Sequence, residues 1–309
     1  MEFHGRGNTT PGTYDLADIA SQKLYFCNQI KCASTLDPVY NPVLLSRLVH
    51  LVGYIAEDRT IMSSSRPRDG PSTSFEADAK VSALFSKEDY IGLVIVVGWR
   101  LDSQIIDPPY SSLLEAVQQC FDDSDFGDTP NVYLYPSKYL HVTVATLYPT
   151  VRKTEDNMEY SKLNADYTAL VHAASKRAEW PSTPLKLKID STQLGSKAGI
   201  LLWNETTGGI RQMRVCLEEE AKLRNMTIHS VPPIVHTTYL RFKDVPNSNG
   251  VDTQERFQSL VVPRIREFFR DEIKVDTAKL VYETTPYMHV PDDTEHVFAS
   301  ISLLKPKDA

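Results

Sequence analysis

The chain is short of several features that would assign a protein to a class at once. Its 309 residues include four cysteines, Cys27, Cys32, Cys120 and Cys216. These are too few and too scattered for a disulfide scaffold, so reduced thiols are expected. Cys27 and Cys32 have no second Cys/His pair at zinc spacing, and neither a metal nor a cofactor is expected. Long apolar runs are missing too. The longest, Gly92 to Trp99, falls far below the roughly 18 residues of a membrane helix, so no membrane partner is expected. Residues 1 to 20 lack the apolar or Arg-rich character of a targeting signal, which leaves a cytoplasmic or nuclear address as the expectation. The Asn-x-Thr sequons at Asn8, Asn204 and Asn225 would then stay bare.

Positive charge is also scarce. With 33 Lys and Arg against 40 Asp and Glu the formal charge is −7, and a long duplex would demand a basic face. A mononucleotide or the end of a short RNA is a better partner, because a few local donors hold one phosphate. No Gly-x-Gly-x-x-Gly or phosphate-loop lysine opens a helix, which disfavours a doubly wound nucleotide fold. Gly208-Gly209 reads as a turn before a helix.

What is present is a regular interspersion of strands and helices. Residues 1–80 read as an N-terminal extension with one amphipathic helix, about 42–56, started by Asn41-Pro42 and carrying Leu44, Leu48, Leu51, Val52 and Ile55 on one face. That helix packs on the main domain or recruits a protein partner. A flexible linker, Ser63 to Ser74, follows. In the domain over 81–309, strands are expected at 91–99, 139–147, 185–190, 198–203, 234–242, 273–283 and 295–304. Helices are expected through Leu113–Phe121, 163–178, 209–225 and 253–270, the last kinked by Pro263. Several connections are too short for parallel crossovers, which points to an α+β fold with antiparallel or mixed sheets. A monomer is expected.

Two of these strands carry the same short pattern, His141-Val-Thr143 and His236-Thr-Thr238. Residues i and i+2 of a strand share a face, so each strand would offer one imidazole and one hydroxyl together. Behind the first pair Leu140, Val142 and Val144 form an apolar anchor, and behind the second the face is less uniform. Two imidazoles that titrate near neutrality can serve as base and acid, and two hydroxyls can hold non-bridging phosphoryl oxygens. A Thr two residues after a His arises by chance about 6% of the time, so the spacing alone is weak and the strand context carries the reading. Tyr139 would share the face of His141 and line a cleft. Arg241 would hold phosphate, although strict alternation places it on the face opposite His236.

With these motifs the chain resembles the 2H phosphoesterases, which include the LigT-like RNA 2′,3′-cyclic phosphodiesterases. The resemblance rests on His141-Val-Thr143, His236-Thr-Thr238 and Arg241, five residues after the second His, where many LigT-like members carry an Arg. It spans about 85–305. It implies a bilobal α+β fold with pseudo-two-fold symmetry around a central cleft, and hydrolysis of a phosphodiester at a nucleotide or RNA end, either a 2′,3′-cyclic phosphate or a short oligonucleotide. An exonuclease that trims RNA 3′ ends and a non-catalytic nucleotide-binding or anchoring module are the alternatives.

Overall fold

The structure is a computed structural model that describes residues 74–85, 88–127, 130–154 and 160–304, without the side chains of 160–163. The chain divides into two compact units, 1–68 and 69–309, and the described residues all belong to the second. The expected amphipathic helix at 42–56 and nearly all of the linker lie outside them. No helix among the described residues is long and apolar enough to cross a membrane.

A single turn of helix, α1 (Ala79–Ala83), is followed by β1 (Tyr90–Val97), α2 (Ser103–Gln118), β2 (Val132–Leu134), β3 (Val142–Arg152) and α3 (Tyr160–Ser175). Then come β4 (Leu185–Leu194), β5 (Ala198–Glu205), α4 (Gly209–Leu223), β6 (His236–Phe242), α5 (Gly250–Leu260) and α6 (Ile265–Phe268). The described part ends with β7 (Ile273–Val275), β8 (Thr277–Tyr282) and β9 (Val297–Ser302). The fold is α+β, with two sheets in the orders β3-β1-β8-β9 and β2-β6-β5-β4-β7 and antiparallel pairing in both. The order β1, α2, β2, β3, α3 is echoed by β5, α4, β6, α5, without a counterpart of β2, and the two motifs lie at the starts of β3 and β6.

The expected single strand over 273–283 is in fact two. Asp276 separates β7, in the five-stranded sheet, from β8, in the four-stranded one, so one residue carries the chain from sheet to sheet. Pro263 interrupts the expected 253–270 helix rather than bending it, because it has no N–H to donate; a 3₁₀ turn, Val262–Arg264, separates α5 from α6. Phe75, placed by its sequence in the extension, is buried with its ring 4.6 Å from that of Phe242. The domain core therefore recruits residues ahead of position 80.

β3 and β6 break strict alternation at the same place. From His141 the burial runs partly exposed, buried, partly exposed, buried, buried, partly exposed, buried, and from His236 it runs identically. The doublets are Val144-Ala145 and Tyr239-Leu240, and the ladders to β1 and β5 shift register there. Each is a β-bulge, which adds one residue and returns the next odd position to the original face. The second bulge needs Gly199 on its neighbour. A Cβ there would meet the Tyr239 ring at 2.9 Å and Leu240 Cβ at 3.1 Å.

Gly199→Ala should accordingly displace Tyr239 and lower stability by about 1–3 kcal/mol, as overpacked sites do. Urea unfolding checks this, and a midpoint equal to that of the natural protein would contradict it.

Candidate functional site

The two motif strands bring their histidines near one another: the charges of His236, His289 and Arg241 all act on His141. Paired residues of antiparallel strands share a face, so Thr143 lies beside Val96, and His236 and Thr238 lie beside Leu202 and Ile200. His141 is one residue ahead of β3, and Tyr139 is not in a strand at all but ends a 3₁₀ turn, Ser137–Tyr139. That turn has a use: the Tyr139 carbonyl takes a hydrogen bond from His141 Nδ1 at 2.9 Å. With Nδ1 carrying the proton, Nε2 is left with its lone pair. The less uniform back face of β6 is satisfied internally. Thr237 Oγ1 accepts from Trp203 Nε1 at 3.0 Å, and the Tyr239 hydroxyl lies 3.2 Å from Thr192 Oγ1.

Arg214, on α4, ties the motifs together. Its Nε donates to the Val144 carbonyl at 3.0 Å, and its Nη2 donates to the carbonyls of Thr143 at 3.3 Å and Ile234 at 3.2 Å. One guanidinium thus spans the bulge of β3 and the approach to His236. A short backbone bridge adds to it, with Thr146 N–H donating to Ser230 O at 2.8 Å and Ser230 N–H returning to Thr146 O at 3.0 Å.

The bulge also decides the face of Arg241. Tyr239 and Leu240 are both buried, so Arg241 returns to the side of His236 and Thr238, contrary to simple alternation. Its Nη1 donates to Asp78 Oδ2 at 2.6 Å and its Nε to the Tyr135 hydroxyl at 3.1 Å, and its guanidinium lies 4.1 Å from the centre of the Tyr287 ring. Tyr287 in turn donates to both oxygens of Asp78, at 2.9 and 2.7 Å. Burial opposes the charge of Arg241, but Tyr135, Tyr287 and Asp78 outweigh it and raise its pKa. Nη2 stands outside this network.

The loop between β8 and β9 contributes residues that the two motifs did not reveal. Met288 and Val290 pack on Val94, Val96, Trp99 and Val281, the cleft face of the four-stranded sheet, while Tyr287 and His289 remain partly exposed. Tyr287 and Met288 both sit in left-handed backbone, at φ 61° and 62°, which non-glycine residues adopt only under constraint. Buried Glu283 supplies part of it by accepting the Met288 N–H at 2.7 Å and the Thr150 hydroxyl. His289 stacks on Tyr139 with ring centres 4.1 Å apart. Its Nδ1 donates to Tyr287 O at 2.9 Å and its Nε2 accepts from the Tyr133 hydroxyl at 2.7 Å, so both nitrogens are engaged.

All three histidines are easier to deprotonate than usual. Burial pushes His141 down to about 4, only partly offset by the Tyr139 carbonyl, and charge on His236, His289 and Arg241 adds to the effect. Burial lowers His289 to about 4 as well. His236 is lowered by burial, then by the charges of Arg241 and Arg214; the Ile234 carbonyl beside its ring counters this, although Nδ1 makes no hydrogen bond of ordinary geometry. Cys120 and Cys216 are buried free thiols far from easy ionisation, both raised to about 11 by burial.

No family model and no curated protein sequence matches the chain. Among solved structures it is similar to E. coli LigT complexed with 3′-AMP, at 12% identity and a TM-score of 0.40 over 70% of this chain and 99% of that one. It is also similar to TT0787 of Thermus thermophilus, at 18% identity and 0.41 over 69% and 97%. For Usb1 of Kluyveromyces marxianus the values are 11% and 0.41 over 70% and 98%. What the cleft can do chemically has to come from its own side chains.

Two outcomes are expected. Arg214→Lys, which cannot span three carbonyls, should lower kcat/KM roughly 100-fold on any substrate of the cleft, the cost of a small misplacement of reacting groups; an unchanged value would mean that the strands hold their own register. The unfolded histidines protonate near pH 6.5 and the folded ones well below it, so the unfolded state binds more protons in between. Thermal stability should then be full above about pH 6.5 and fall steadily toward pH 4, less steeply in His289→Gln.

Proposed function

We propose that the chain is a phosphodiester hydrolase of nucleotide or RNA ends that works without a metal ion, with 2′,3′-cyclic phosphates as the first substrates to test. The observation that supports this is that His141 lies within electrostatic reach of His236 and Arg241, while Thr143 and Thr238 share the strand faces of their histidines.

In this reading His141 is the base. It is neutral at ordinary pH, and its Nδ1 proton is held by the Tyr139 carbonyl, so Nε2 is the atom available to take a proton from water. The water oxygen forms a bond to phosphorus, the bond from phosphorus to one ribose oxygen breaks, and that oxygen receives its proton from His236. Ring opening leaves a phosphomonoester, and the two histidines have exchanged protonation states. Thr143 and Thr238 donate to the non-bridging oxygens, where negative charge concentrates, and Arg241 Nη2 adds a fixed positive charge. Tyr139 and His289 form an aromatic wall against which a base can lie. An anionic substrate raises the pKa of His236 on binding, which supplies the acid in the bound state.

Purified protein should open 2′,3′-cyclic nucleotides in EDTA, and His141→Ala and His236→Ala should each lose at least 100-fold in kcat, within the range that general acid–base catalysis contributes. The kcat/KM optimum should lie on the acid side of pH 6.5, because His141 loses its lone pair only near 4 and the free His236 gives up its proton below the ordinary value. Loss of turnover on chelation would remove the metal-free reading, and successive shortening of an oligouridylate would move the assignment to 3′-end trimming.

A further inference from the structure

The proposed chemistry makes no use of Asp78, a carboxylate held directly against Arg241. It reaches the site from the stretch ahead of α1, which the domain fastens to itself. Glu76 N–H donates to Ser196 O at 2.8 Å, Asp78 N–H donates to Phe242 O at 2.7 Å, and the buried ring of Phe75 packs on that of Phe242. The side chain of Asp78 is itself only 13% exposed. Its Oδ1 caps α1 by accepting Lys80 N–H at 3.0 Å, and its Oδ2 accepts Arg241 Nη1 at 2.6 Å, while the Tyr287 hydroxyl bridges both oxygens. The carboxylate is thus fixed in place and largely out of water, where a charge is screened less than at an exposed position.

That placement limits how Arg241 can hold a phosphate. A guanidinium grips a phosphate best through two parallel N–H bonds. Nη2 can form such a fork with Nη1 or with Nε, but Nη1 is taken by Asp78 and Nε by the Tyr135 hydroxyl. A phosphate therefore meets Nη2 alone, with the Asp78 carboxylate on the same guanidinium and inside the roughly 8 Å over which salt screens charge. The other groups around Asp78 do not neutralise it. Burial raises the pKa of both Tyr135 and Tyr287, which stay uncharged. Lys80 turns to Thr150 O at 3.2 Å, and Glu283 is occupied by Met288 N–H and the Thr150 hydroxyl.

Hydrolysis changes the charge that faces this carboxylate. A phosphodiester carries one negative charge, whereas the phosphomonoester left by ring opening carries nearly two at pH 7, its second pKa lying at about 6. Repulsion grows in proportion to that charge. We propose that Asp78 determines specificity by charge: from its place on Arg241 it loosens the doubly charged product more than the singly charged substrate, so that the product leaves. This deepens the hydrolase reading and rests on it for the identity of the ligand.

Calorimetry tests it with two probes, 2′-deoxyuridine 3′-phosphate, a monoester, and its methyl ester, a diester, which differ in charge and lack the 2′-hydroxyl needed for cyclisation. Asp78→Asn keeps the size of the side chain and the cap of α1 and removes the charge. It should tighten the diester about threefold and the monoester about tenfold at pH 7.5, the second factor being close to the square of the first. At pH 5, where the monoester is singly charged, both should gain by the same factor of about three. A purely structural role for Asp78 would instead loosen both probes together as Arg241 loses its hold. That outcome, or equal factors at pH 7.5, overturns the proposal. Should Asp78→Asn fail to fold, Asp78→Ser retains a capping oxygen and gives the same comparison. Arg241→Met keeps the two failures apart, since it should weaken both probes. If it changes neither, or if the natural protein binds neither, the hydrolase reading of the cleft falls; equal factors in Asp78→Asn beside a weakened Arg241→Met remove only the role of Asp78. In kinetics on a 2′,3′-cyclic phosphate, inhibition by the monoester product should strengthen in Asp78→Asn by about three times the factor by which KM falls.

Discussion

The guanidinium of Arg214 is the contact on which the cleft depends. β3 lies at the edge of its sheet, and an edge strand with a bulge has carbonyls that no neighbouring strand collects. Arg214 collects two of them together with the carbonyl of Ile234, two residues ahead of the second motif. A planar fork of donors can do this where a point-charge ammonium cannot. The register of the first histidine strand is thereby referred to the second through one side chain, and the same positive charge helps keep His236 easy to deprotonate.

Electrostatics and packing in the cleft act in one direction. Burial of the imidazoles opposes their charged forms, Arg241 and Arg214 oppose them further, and the carbonyls behind the rings return only part of the loss. The site is thus one where a proton is unwelcome and an anion is favoured. Under the proposed hydrolase reading, a bound phosphate would reverse the balance for a histidine that faces it and so make one imidazole an acid beside a neutral base. His289 stands apart from that exchange, since both of its nitrogens are taken and its ring serves as a surface.

Much of this was legible in the residues, and the limits have physical causes. The two motif strands showed themselves because Leu140, Val142 and Val144 alternate with His141 and Thr143, a local pattern with period two. Which face Arg241 takes could not be read from alternation alone, because the parity is broken by a bulge, although the apolar doublets Val144-Ala145 and Tyr239-Leu240 stand at matching distances after both histidines. The break at Asp276 was hidden in a run of strand formers that serves two different sheets. Asp78, Tyr287 and His289 had no local signature at all. The first is in a stretch that reads as extension, and the others owe their place to left-handed backbone held by Glu283, a carboxylate whose burial only the fold creates.

The single-residue passage at Asp276 bears on how the cleft selects what enters it. A jaw that opens needs slack chain at its joint, and here the joint is the single residue Asp276 between β7 and β8, with Arg214 and the Thr146–Ser230 bridge fastening the strands elsewhere. So short a joint limits how far the two sheets can part. For the substrate class proposed above, selection would then work as a gauge works, by whether a base and sugar fit an aperture of nearly constant width.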